Sequence, residues 1–302
     1  MNFAAFIMTY ERPQAVLDMI ECLLRQTFPP EKILVVDNSL SDETKRVVAA
    51  LNLSNVEYFG VGYNSGPAGA AKAGLQKLTN DGFRWVYWGD DNDPPRTPDA
   101  FERIFAMKEK IGDKKIGALG LMGNNFSLNK VKIRLIDTSA LKGILAVNSL
   151  AGGGTMVINT DVLTSALISP DESLFFGYEE LDFCLQIKKA GYEIFMDGDY
   201  YRQQKEISLK EKKGRVQKIA INSRKNSLWR EYYSIRNLMF IVYSKHRSHI
   251  GLILICLRVM GKILFSYTKG FSFGIKYSKL ALQAVGDFFK KNMGLIIQPG
   301  SI

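Results

Sequence analysis

Apolar and polar positions follow a repeating couplet along the first two thirds of this 302-residue chain. Phe3 to Met8 is a short apolar run, the mark of a buried strand, and Pro13 opens a stretch carrying Leu17, Ile20, Leu23 and Leu24 at helical spacing. Lys32 to Val36, closing on Asp37, predicts a second strand, after which Ser41-Asp42-Glu43 caps a helix through Val47, Val48 and Leu51. Val56 to Val61 and Trp85 to Trp88 predict two further strands, with a small-residue helix from Ala68 to Leu78 between them. This alternation gives an α/β fold: a mostly parallel sheet with helices on both faces. In open sheets of this kind ligands bind at the carboxyl ends of strands, where Asp37 and Asp90 to Asp93 fall.

Farther along, Lys115 to Leu121 and Gly152 to Asn159 read as strands joined by a polar connection, and Phe183 to Ala190 as a helix. Arg202 to Lys225 is polar and basic without a period, which reads as a loop. After Trp229 aromatic and aliphatic residues return among Lys and Arg at helical spacing. The expected organisation is a catalytic-looking domain over residues 1–200, a basic loop over 201–228 and a helical region over 229–302. No internal repeat is visible.

Charge sharpens that division. The net charge of +10 is unevenly spread: from Tyr201 onward there are 20 Lys and Arg against 4 Asp and Glu, whereas the first 200 residues hold 20 against 26. An acidic domain joined to a basic tail points to a tail that binds something anionic. Cys22, Cys184 and Cys256 are few, odd in number and far apart, which excludes a disulfide framework and suits a reducing, cytoplasmic compartment. Met1 runs into an apolar stretch with no basic leader, so no signal peptide is expected. The apolar run Ile250 to Leu257 ends at Arg258, short of the ~20 residues of a spanning helix, so no transmembrane helix is expected.

Two acidic clusters carry the candidate chemistry. Asp90-Asp91-Asn92-Asp93 places three carboxylates in four residues, directly after a predicted strand. Clustered carboxylates raise one another's pKa, and a divalent cation relieves this; Asp91 and Asp93, at D-x-D spacing, are the candidate metal ligands, with a solvated turn as the alternative. Glu179-Glu180-Leu181-Asp182 repeats the density ahead of a helix, where acids also serve as plain N-terminal caps. Gly60-Val61-Gly62-Tyr63-Asn64-Ser65-Gly66 misses the dinucleotide fingerprint, whose third glycine comes one residue earlier.

Taken in order, these blocks resemble the inverting, GT-A-fold glycosyltransferases of family 2, over roughly residues 1 to 200. Thr9-Tyr10-Glu11-Arg12-Pro13 is similar to the family's opening turn beside the nucleotide, and Val35-Val36-Asp37-Asn38-Ser39 with Asp42 to its "VVDNGS-x-D" segment. Asn64-Ser65-Gly66, followed by the Ala68 to Gly74 stretch with Lys72, resembles the helix beneath the diphosphate. Asp91-Asn92-Asp93 takes the D-x-D position, with Asp90 beside it on the donor side. Gly152-Gly153-Gly154, Phe175 to Asp182 and Lys189-Ala190-Gly191-Tyr192 resemble the acceptor-side block.

The resemblance implies transfer of a sugar from a nucleoside diphosphate, UDP- or dTDP-linked, to a saccharide hydroxyl with Mg²⁺ or Mn²⁺. Glu180 matches the catalytic base, with Glu179, Asp182, Gly153 and Gly154 supporting the acceptor. Thr9, Tyr10, Arg12, Asp37, Asn38, Asn64, Gly66, Lys72, Asp90 and Asp91 fall on the donor side. Block style is nearest that of bacterial rhamnosyl- and galactofuranosyltransferases of surface-polysaccharide synthesis. Position 180 departs from the usual Asp, Gln186 stands where relatives often have Arg, and Asp197 to Tyr201 lacks the His that many use as a further metal ligand. The histidines, His246 and His249, lie in the tail, where an i, i+3 pair offers a weak alternative metal site.

Trp229 to Asn237 resembles a "YY-x-x-RN" segment beyond the transferase core, in which Arg236 meets either an anionic ligand or a structural partner. The later basic, amphipathic stretches suit a membrane interface, which implies peripheral attachment at the inner face of the cell membrane and a lipid-linked acceptor. A homo-oligomer contact is the alternative occupant. No nucleic-acid module is present. A non-catalytic sugar-nucleotide binder or membrane scaffold is the alternative to an enzyme.

Overall fold

The computed structural model describes residues 2–112, 114–150, 155–214 and 228–300. Its first half follows the predicted couplets closely: β1 (Ala4–Thr9), α1 (Pro13–Leu24), β2 (Lys32–Asp37), α2 (Glu43–Ala50), β3 (Val56–Gly60), α3 (Gly66–Asn80), β4 (Trp85–Asp90) and α4 (Ala100–Ile111). The chain continues through β5 (Ile116–Gly120), β6 (Gly123–Ser127), β7 (Lys132–Arg134), β8 (Ile144–Val147), β9 (Ser149–Leu150), β10 (Met156–Asn159) and the short α5 (Asp161–Thr164). It then forms α6 (Glu179–Lys189), β11 (Glu193–Asp197), α7 (Gly198–Gly214), α8 (Leu228–Met239), a π-helical turn (Phe240–Lys245), α9 (His249–Ser266) and α10 (Phe271–Lys290).

Eight strands form one sheet in the order β3-β2-β1-β4-β10-β5-β11-β8, and β7-β6-β9 form a second. The first four strands run parallel, but β10 enters between β4 and β5 antiparallel to both, and β8 pairs antiparallel to β11. The sheet is therefore mixed but mostly parallel, as expected, with β10 and β8 the two strands that run against the other six. The chain reaches β10 by way of the small sheet, so β10 does not come in by the helical crossover that forces parallel direction.

Period-two alternation assigns each face its own core. Ala4, Phe6 and Met8 of β1 pack with Ala70, Leu75 and Leu78 of α3 and with Phe183 and Ile187 of α6. Phe3, Ala5 and Ile7 pack on the opposite side with Val16, Met19 and Leu23 of α1, Val48 of α2 and Phe101 and Ile104 of α4. A third core joins Ala68, Phe126, Leu174, Phe175, Leu181 and Leu185 to the C-terminal helices through Tyr232, Tyr233, Ile255, Val259, Leu280 and Phe288. The helical region is thus built onto the sheet domain.

Two expectations change here. Residues 201–214, expected in a basic loop, continue α7; the remainder of that loop, 215–227, and Gly152, Gly153 and Gly154 lie outside the described residues. In addition, the helical stretch His249–Lys269 is long and apolar enough, by length and composition alone, to cross a membrane. Counting only the unbroken apolar run ended the helix at Arg258, but the helix continues through Arg258 and Lys262.

Candidate active site

Three parallel strands end side by side at the carboxyl edge of the sheet. The register pairs Thr9 with Asp37 and Met8 with Asp90, so the acids at the ends of β2 and β4 flank the end of β1. Backbone bonds continue this past the strands: the Asn38 amide donates to the Thr9 carbonyl at 3.0 Å and the Asp91 amide to the Met8 carbonyl at 3.1 Å.

Each acid then meets a different fate. Asp91, buried, accepts from Thr9 Oγ1 at 2.7 Å and from Arg12 Nη1 at 3.1 Å, so both oxygens are held. Asp37 is fully buried and accepts from the Ser39 amide at 2.8 Å and the Tyr58 hydroxyl at 3.1 Å. Burial and that carboxylate push the Tyr58 hydroxyl up to about 12. Asp90 sits beside Asp91, and burial together with the Asp91 charge raises its carboxyl to about 6, against a backbone hydrogen bond from Asn92 that works the other way.

Asn38 closes the donor-side floor. It donates to the Gly66 carbonyl at 3.1 Å and accepts from Ser65 Oγ at 2.7 Å, while Asn64 Oδ1 accepts from the Gly66 amide at 3.0 Å. Gly66 has φ +68°, and a β-carbon there would fall on the Phe175 carbonyl oxygen; this position requires glycine. Lys72, one turn into α3, pairs with Glu172 at 2.7 Å.

The second acidic cluster arrives through a strained loop. Phe175, Gly177 and Tyr178 all have positive φ, at 59°, 83° and 68°, and they aim the first turn of α6 toward β4. Asn237 Nδ2 holds this loop by donating to the carbonyls of Leu174, Phe176 and Gly177 at 2.8, 2.9 and 3.1 Å. Arg236, fully buried, donates to the carbonyls of Leu174, Asn292 and Gly294 and lies over the Tyr232 and Tyr233 rings. Of the two readings of Arg236, the structural one describes its bonds, with backbone carbonyls as partners in place of a carboxylate.

Glu179 is buried, and burial with the adjacent Glu180 charge drives its carboxyl well above the ordinary range; one of its oxygens, Oε2, accepts no hydrogen bond. The charges of Glu180 and Asp90 both act on Glu179, and that of Glu180 acts on Asp90. Asp90, Glu179 and Glu180 therefore converge although 90 residues separate them in sequence. Asp182 belongs elsewhere: fully buried, it accepts from Lys245 at 2.6 Å and Gln186 at 2.8 Å.

Asp93, expected as a metal ligand beside Asp91, is not among the residues that line the cleft. The chain turns at this point, with the Asp93 amide 3.4 Å from the Asp90 carbonyl, and its carboxylate feels Arg96 as its charged neighbour. A D-x-D pair shares one side only where the backbone stays extended. The cleft, about 390 Å³, is lined by Asp90, Asp91 and Asn92 together with Thr9, Arg12, Asn64 and Gly66. Its far wall is Phe175, Phe176, Trp229 and Arg230, with the Arg230 guanidinium 5.2 Å from the Trp229 ring and 5.5 Å from that of Phe176. Sequence reasoning missed Asn92, Trp229 and Arg230 as site residues; only the aromatic Trp229-Arg230 pairing hinted at them.

Among the described residues no three His, Cys, Asp or Glu side chains stand close enough to enclose a metal ion. His246 and His249 do not form a helical pair: His249 begins α9 and packs against Tyr243. The fit is instead to an ion that takes one or two carboxylates and completes its shell from water and phosphate, as Mg²⁺ and Mn²⁺ do. Asp90, half-buried beside Asp91, suits that role.

The profile of Glycosyl transferase family 2 matches residues 4–114. The galactofuranosyltransferase GlfT1 of Mycobacterium tuberculosis is 28% identical over 107 residues, 35% of this chain and 35% of the relative, so the match spans about a third of each. The fold is similar to S. aureus TarS 1-349 in complex with UDP-GlcNAc, at TM-score 0.53 and 16% identity over 96% of this chain and 81% of that one. It is also similar to the mannosyltransferase PcManGT from Pyrobaculum calidifontis in complex with GDP-Man and Mn²⁺, at TM-score 0.52 and 11% identity over 96% and 87%. Residues 4–114 are thus similar to family 2 of the glycosyltransferases, and the chain has a GT-A-like fold.

Proposed function

We propose that this protein transfers a sugar from a nucleoside diphosphate, UDP- or dTDP-linked, to a saccharide hydroxyl with inversion. The galactofuranosyltransferase relative and the nucleotide-sugar complexes of the structural neighbours support sugar transfer in polysaccharide synthesis; we further infer galactofuranose or rhamnose as the sugar and a lipid-linked acceptor at the cell surface. One observation carries the reading: the charge of Asp90, which lines the cleft, interacts with the Glu179–Glu180 pair, which is itself not among the lining residues.

The donor diphosphate rests at the start of α3, where Gly66 and Pro67 line the cleft and the helix N-terminus favours negative charge. Arg12 and Arg230 add positive charge from opposite walls. Asp90 and Asp91 would hold Mg²⁺ or Mn²⁺, which when bound neutralises charge gathering on the leaving diphosphate. Glu179 keeps the proton of its pair, which leaves Glu180 as the acceptor. As the acceptor oxygen bonds to the anomeric carbon, its proton passes to Glu180. The bond to the diphosphate breaks on the opposite face, and its electron pair leaves with the diphosphate oxygen. Such general-base assistance contributes ~10²–10⁴-fold.

The test is nucleotide release from a panel of UDP- and dTDP-sugars with and without Mn²⁺. Release from at least one donor, dependent on the metal and lost in Glu180→Gln, is expected. Metal-independent release that Glu180→Gln leaves intact overturns the mechanism.

A further inference from the structure

Helix α9 is apolar on two opposite rows. Gly251, Ile255 and Val259 face the protein, and a β-carbon on Gly251 would run into Val242 and the Leu128 carbonyl. Ile250, Ile253, Leu257, Met260 and Leu264, spaced alternately three and four apart, face solvent, and each is more than half exposed. The row continues through the turn after α9 by way of Phe265 and Phe271, 62% and 74% exposed. Single exposed apolar residues are ordinary, but a continuous row of this length marks an interaction surface.

Charge selects the occupant. Residues 241–300 contain nine Lys and Arg against one acid, Asp287, which is buried and bonded to Tyr232 and Asn292. Lys269, Lys276, Lys279, Lys290 and Lys291 are all exposed around the row. An apolar stripe with exposed cations on the same two helices, where the neighbouring acid Glu231 is paired with Lys262 at 3.0 Å, complements lipid acyl chains under anionic headgroups. A second copy is a poor partner, since its matching face carries the same positive charge.

We propose that the α9–α10 face docks on an anionic lipid surface and lies along the interface without crossing it. The inner row of α9 is seated in the third core, and Arg258 at mid-helix donates to the carbonyls of Val131 and Lys130 at 2.6 and 2.9 Å. Crossing would tear the helix from both.

Flotation of the full chain with vesicles tests this without any assay of transfer, so its failure and that of the proposed reaction are separable. Binding to vesicles of phosphatidylcholine with phosphatidylglycerol, release by high salt and no binding to phosphatidylcholine alone are expected. Leu257→Glu with Leu264→Glu, both at exposed positions, should abolish flotation while circular dichroism stays unchanged. Lys276→Glu with Lys279→Glu should lower vesicle affinity about tenfold or more, and serves as the independent variant. The proposal is overturned by absent flotation, by flotation that either pair leaves intact, by retention through high salt and alkaline carbonate (a crossing helix), or by a dimer in light scattering that the leucine pair abolishes while no lipid binds.

Discussion

The Phe175 carbonyl oxygen occupies the space a β-carbon on Gly66 would need, and the Ala68 amide donates to that same oxygen at 3.3 Å. Helix α3 and the loop that carries the acids are thereby fixed to each other through backbone. Gly66→Ala is expected to destabilise the fold by about 1–3 kcal/mol through its positive φ alone, with the displaced loop adding to that. Thermal unfolding and donor titration read it together; a wild-type midpoint would show that the two segments yield independently.

Glu180→Gln should keep donor affinity and reduce turnover by ~10²–10⁴-fold. Glu179→Gln should raise stability, because it removes a carboxyl whose ionisation burial opposes. Turnover near normal in Glu180→Gln, by nucleotide release, would send the base role elsewhere.

Asp90 gives a pH signature in chelator-treated protein. Its folded-state carboxyl lies at about 6, above the ordinary 3.8, so the folded chain binds this proton more tightly than the unfolded one. The contribution is therefore fully present below about pH 4 and is lost as pH rises through about 6. Asp90→Asn should flatten this slope and stabilise the metal-free protein at pH 7 by about 1–3 kcal/mol, while weakening Mn²⁺-dependent donor binding. Denaturant unfolding across pH 4–7, set beside donor titration, checks both halves.

Lys245 bridges Asp171 at 2.7 Å and the buried Asp182 at 2.6 Å. Lys245→Met leaves Asp182 uncompensated and should cost about 3–5 kcal/mol. Adding Asp182→Asn should recover part of that loss in a double-mutant cycle, and strict additivity would refute the pairing.

Arg230→Ala, at the cleft rim, should weaken donor binding while leaving the unfolding midpoint within about 0.5 kcal/mol of wild type. Calorimetric titration with UDP and UDP-sugars reads it.

The strands that position the site were legible because β1, β2 and β4 are unbroken apolar runs, and their terminal acids followed from where those runs stop. The small sheet was not: β6, β7 and β9 span five, three and two residues, and Asn124, Asn125 and Ser127 read as connection. That Asp93 falls outside the cleft lining was not legible, since spacing carries no information about a turn. The wall formed by Phe176 and Trp229, rings 4.6 Å apart, depends on packing across more than fifty residues, which no local pattern encodes.

The third core has a consequence for anyone who recombines these enzymes. Because Tyr233 packs on Phe175 and Asn237 grips Phe176 and Gly177, a chimera joined near residue 200 inherits the acidic loop from one parent and that loop's scaffold from the other. Exchanging substrate preference between relatives requires moving the loop and α8 as one cassette.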